Sequence, residues 1–96
     1  MENGCIVIDV EDRHMRIDGF VPTNSYEFSV RVREDSSEDC LPRLIELYVW
    51  NSNNNRPSIQ LANNVEVKNA ISNYFFVALK NLNPKDCLVE IKIEKK

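Results

Sequence analysis

The sequence predicts an α+β domain, a mostly antiparallel sheet of about five strands with one long amphipathic helix on one face, in the order β-β-β-β-α-β. Three observations carry this. Between Asn63 and Leu82, the residues Val67, Ala70, Ile71, Tyr74, Phe75, Ala78, Leu79 and Leu82 recur at the i, i+3, i+4, i+7 spacing that lines one face of a helix. Four or five shorter stretches alternate apolar and polar residues with period two and are rich in β-branched and aromatic side chains. The 96 residues, 43% of them hydrophobic, suffice for one core and hence for a single domain spanning residues 1–96.

Cys5 to Val10 places Ile6, Ile8 and Val10 on one side. Glu11-Asp12-Arg13 breaks the chain, and His14 to Phe20 follows with Met15 and Ile17 on the buried parity, so the first two strands are expected to form a hairpin. Gly19 ends that strand or bulges it, because glycine adopts the positive φ that other residues resist. Tyr26 to Arg33 alternates most cleanly, with Tyr26, Phe28, Val30 and Val32 against Glu27, Ser29, Arg31 and Arg33. Leu44 to Trp50 fits both periods; its β-branched and aromatic content, and Pro42 just before it, favour a strand. Ser58 to Leu61 is a short edge strand or the lead-in to the helix, and Cys87 to Ile93 closes the sheet with Cys87, Val89, Ile91 and Ile93 inward. For the helix itself, Asn63 and Glu66 match a capping pair and Asn83-Pro84 a stop.

Composition narrows the function classes. A net charge of -3 and a pI near 5.1 argue against a phosphate-backbone binder, whose affinity comes from clustered Lys and Arg. No apolar run is long enough to span a membrane, and Met1-Glu2-Asn3-Gly4 lacks the start of a signal peptide, so a cytoplasmic address without membrane contact is expected. Cys5, Cys40 and Cys87 are odd in number and form no C-x-x-C, and they are read as thiols packed like small hydrophobes. Twelve asparagines, few alanines and two glycines suggest an AT-rich, bacterial type of genome.

No catalytic, cofactor or metal constellation emerges. His14 is the sole histidine, and only pairing with Cys5 across the first hairpin would give a Cys–His nucleophile of hydrolase type. Asp35, Ser37, Asp39 and Glu46 fall at positions 1, 3, 5 and 12 of a calcium loop, but Cys40 stands where that loop requires glycine. The acidic run Glu34 to Asp39 therefore reads as a solvated loop. Two apolar features remain. Phe76 falls in the polar arc of the predicted helix, and Tyr48 and Trp50 share the parity of the sheet face opposite that helix, where Arg31 and Arg33 are also expected. These five residues are the candidate interaction surface. The functional expectation is a small non-enzymatic interaction module, of accessory, inhibitor or immunity type, binding another protein or itself without a cofactor. The alternative is single-stranded nucleic acid stacked on Tyr48 and Trp50 and tracked by Arg31 and Arg33.

Overall fold

A computed structural model describes residues 4–10, 12–50, 59–61, 64–68, 70 and 72–96. Eight strands are formed among the described residues: β1 (Cys5–Asp9), β2 (His14–Asp18), β3 (Tyr26–Val32), β4 (Glu46–Trp50), β5 (Ile59–Leu61), β6 (Asn64–Val67), β7 (Tyr74–Lys80) and β8 (Val89–Lys95). One 3₁₀ turn, Pro42–Leu44, precedes β4. The strands form two antiparallel sheets, β1-β8-β3-β6 and β2-β7-β4-β5.

The pairing has a simple logic. β1 pairs with β8, β2 with β7, β3 with β6 and β4 with β5, so the chain doubles back on itself as one long hairpin. Rolling that hairpin adds the β3–β8 and β4–β7 ladders and distributes the strands between two layers. The result is the eight-stranded order of a jelly roll. Every connection except β4–β5 passes from one sheet to the other.

The predicted long helix does not exist, and the α+β class gives way to an all-β sandwich. Its span holds β6, a connection and β7 instead. The segment from Tyr74 to Lys80 carries both periods: Tyr74, Phe75, Ala78 and Leu79 recur at helical spacing, while Phe75, Val77 and Leu79 alternate inward as a strand. What selects the strand is the partner surface. β2 and β4 flank β7 on both sides and satisfy its backbone groups, and Val65 and Val67 add β-branched bulk that suits β6. Asn63, the expected cap, lies outside the described residues, and Glu66 sits opposite Glu27 in a ladder. The first two strands are likewise not a hairpin, since β1 and β2 belong to different sheets.

The other strands fall where alternation puts them. Tyr26, Phe28, Leu47, Val49, Ile91 and Ile93 are buried between the sheets. At about 1.5–3 kcal/mol for each large apolar side chain buried, this interior is the main driving force for closing the sandwich. An aromatic cluster locks one end. Phe20, from the β2–β3 connection, meets Tyr26 at 4.9 Å and Phe75 at 4.8 Å edge to face, and Phe28 meets Phe75 at 5.3 Å. The fully buried Tyr26 keeps its hydroxyl satisfied, accepting from the Val21 amide at 2.8 Å.

The opposite end is closed covalently. Cys40, in the β3–β4 connection, is bonded to Cys87, in the β7–β8 connection, so two of the three cysteines are not the free thiols expected. Hydrogen bonds reinforce the join: the Ser37 amide donates to Asp86 O at 2.8 Å, and the Leu88 amide to Ser36 Oγ at 2.9 Å. The spacing of 47 residues gave no sign of this, because only the roll of the chain brings the two connections together.

In denaturant without reductant, alkylation is expected to label Cys5 alone, and after reduction all three cysteines. Labelling of three thiols before reduction would contradict the bridge. Closing a loop of this size constrains the unfolded chain by about 4 kcal/mol in the chain-entropy model, so a Cys40→Ser/Cys87→Ser variant should lose up to that much in chemical denaturation.

Candidate functional site: an aromatic face on the second sheet

Parity decides what the second sheet shows to solvent. With Phe75, Val77 and Leu79 inward, Tyr74, Phe76, Ala78 and Lys80 of β7 must point outward. The same holds for Glu46, Tyr48 and Trp50 of β4 and for His14, Arg16 and Asp18 of β2. The ladders set these side chains in rows: Arg16, Phe76 and Trp50 in one, His14, Ala78 and Tyr48 in the next, with Asp18–Tyr74 and Lys80–Glu46 at the two ends.

The middle of this face is an aromatic ridge. Trp50 and Phe76 stack with centroids 5.7 Å apart and planes inclined by 28°, and Tyr74 meets Phe76 edge-on at 5.9 Å. The Arg16 guanidinium lies 4.0 Å above the Tyr74 ring and is held there by Asp18, which accepts from its Nε at 3.2 Å. Such ring pairs contribute about 0.5–1.5 kcal/mol each and an exposed cation–π contact about 0.5–1 kcal/mol. All four aromatics of the face, Tyr48 included, are only half-buried.

Beside the ridge the face drops into a groove. Ala78, the one small residue in its row, leaves a hollow between His14 and Tyr48. The end wall comes from the 3₁₀ turn, whose Leu44 is 46% exposed, and from Asn81 to Asn83. Asn81 adopts a left-handed φ of 64° and donates from Nδ2 to Leu44 O at 3.0 Å, tying one connection to the other. These are the two connections that the Cys40–Cys87 disulfide joins, so the groove wall is fixed from behind. Among the described residues the aromatics of the face keep part of their surface open to solvent, and the strands β4 and β5 contact β6 besides their sheet neighbours.

The structure therefore gathers Tyr48, Trp50 and Phe76 from the predicted surface, although Phe76 reaches it from a strand and not from a helix. Arg31 and Arg33 do not join them. Arg31 stands on the outer face of the first sheet opposite Glu90, and Arg33, beyond the end of β3, is paired with Asp35 at 2.8 Å. Sequence reasoning assumed a single sheet, in which equal parity means the same face. Tyr74 and the hollow at Ala78 were missed for the same reason Phe76 was misplaced: read with period two, residues 74–80 would have shown them. Arg16 lies on the outward parity of β2, and only the β2–β7 ladder sets it on this face.

The remaining candidates separate. Cys5 projects from the first sheet and His14 from the second, so no Cys–His pair forms. Among the described residues no group of three or more His, Cys, Asp and Glu side chains is arranged to hold a metal; Asp35 is taken up by Arg33, and Glu46 stands apart on β4. Comparison with protein-family models, with curated proteins and with solved structures finds no match, so the class is set by the chain itself, a jelly-roll sandwich with an aromatic outer face.

As the only tryptophan, Trp50 makes the face directly observable. Its fluorescence should be quenched by iodide in the native state and lose most of its exposure to quencher only when the face is covered. Phe76→Ala should shift the emission while lowering stability by no more than about 1–2 kcal/mol, the range of lost ring contacts plus partial burial. A Trp50 shielded from iodide in the isolated protein would contradict the open face.

Proposed function

We propose that this chain is a non-enzymatic interaction module that binds a protein partner through the aromatic face of its second sheet. The observation that carries this reading is the contiguous Trp50–Phe76–Tyr74 ridge, half-buried and partly open to solvent. Tryptophan and tyrosine are enriched at interface hot spots, where a fixed aromatic anchor costs little entropy on binding. Leu44 at the groove end, nearly half exposed, extends the apolar surface. It is presented by a connection that the disulfide and backbone hydrogen bonds tie down, which favours a preformed site.

Nucleic acid fits the ridge less well. A single-strand platform offers free ring faces to successive bases. Here Trp50 and Phe76 each turn one face to the other, and Arg16 covers Tyr74. With Arg31 and Arg33 elsewhere, the phosphate-tracking pair of the alternative reading is also gone. The Cys40–Cys87 disulfide supports an oxidising compartment as the working environment, in place of the cytoplasmic address expected from the sequence.

Trp50→Ala/Phe76→Ser is expected to leave the fold intact by circular dichroism and to abolish capture of the native-host partner. Val7→Ser, on the outer face of the first sheet, should leave capture unchanged. Equal capture by the double variant and the parent would end this reading.

A further inference from the structure

We propose that the partner presents an acidic segment bearing a bulky apolar side chain: the apolar group seats against the Trp50–Phe76 ridge while its carboxylates meet Arg13, His14 and Lys80. This rests on the reading of the face as a protein-binding surface and adds the partner's chemistry.

Charge placement carries it. The chain is acidic overall, yet the basic residues Arg13, His14 and Lys80 line the groove, and no carboxylate lines it among the described residues. Elsewhere several cations are already matched within the fold: Arg16 with Asp18, Arg33 with Asp35, Lys92 with Glu94 and Lys96 with Glu27. The side chains of Arg13, His14 and Lys80 form no hydrogen bond or ion pair with a described residue. Glu46, across the ladder from Lys80, stands outside the groove lining and accepts from the Tyr48 hydroxyl at 3.4 Å.

The other outer face shows the contrast. On the first sheet Glu66, Glu27 and Glu94 follow one another across neighbouring strands, with Glu90 and Asp9 in a further row, against the cations Lys92 and Arg31. The Lys92 ammonium holds the Glu94 carboxyl below its ordinary value, first by a hydrogen bond and then by its charge. An acidic segment is thus repelled by one face and drawn to the other, which fixes both where and which way round it docks. The groove adds what a charged surface alone lacks. Its hollow over Ala78 and its Trp50 wall accept a side chain, while cations at the rim remain in water and set on-rate and specificity.

The test is selection of random displayed peptides on the full chain, followed by titration of synthetic peptides against Trp50 fluorescence. The expected consensus has Asp or Glu flanking Phe, Leu or Trp. Its binding should vanish in Trp50→Ala and weaken about tenfold in Arg13→Glu/Lys80→Glu, with a comparable loss at high salt. Both charge reversals are at exposed positions, so a melting curve like the parent's is expected alongside. Peptides that need Trp50 but show no acidic enrichment, or bind the reversed variant equally, would overturn the inference and leave the binding face standing. Selection that yields no Trp50-dependent peptide would remove both. Tighter Trp50-dependent binding of a single-stranded oligonucleotide, or self-association lost in Trp50→Ala by sedimentation, would also overturn it by naming a different occupant.

Discussion

The packing of Phe75 against Phe28 and Phe20 is the interaction on which the rest of the molecule depends. It joins β7 of one sheet to β3 of the other, with Phe20 inserted from the β2–β3 connection, and it sits where burial is complete. Once Phe75 faces inward, the pleat leaves Phe76 no choice but to face outward. The same step places Tyr74, Ala78 and Lys80 on the surface. Core and candidate site are two sides of one strand, and a single-residue slip of β7 would exchange them.

That coupling also explains how much of the molecule could be read from the chain. The inward residues of β1, β3, β4 and β8 were legible because each strand alternates on its own, without reference to its neighbours. Residues 74–82 were not, because YFFVALKNL has apolar residues at both helical and strand spacing, and the ladders of β2 and β4 that decide the matter are remote in sequence. Phe76 was singled out for a mistaken reason. On a helical wheel it was an aromatic stranded among polar residues, whereas in the fold it is the centre of the aromatic ridge between Trp50 and Tyr74. The Cys40–Cys87 bond lay beyond any spacing rule, since it depends on two inter-sheet connections meeting at one end of the sandwich.

A second sheet is what redistributes the charges. A single-sheet reading puts Tyr48, Trp50, Arg31 and Arg33 on one face. Two sheets send the arginines to the acidic side and leave the aromatics with Arg13, His14, Arg16 and Lys80. The disulfide, Asn81 and the 3₁₀ turn then hold the end wall of the groove so that little ordering remains to be done on binding. Fold and surface are consistent in this respect: the most constrained connections are the ones that border the candidate site.

Residues 74–80 form an inner strand of the second sheet, with Phe75 in the core and Phe76 beside Trp50, and nuclear Overhauser contacts are the decisive test. Contacts are expected between the Phe75 and Phe28 rings, between the Phe76 ring and the Trp50 indole, and between the backbones of β7 and both β2 and β4. A run of sequential amide–amide and i, i+3 contacts through residues 65–82, the signature of a helix, would contradict it.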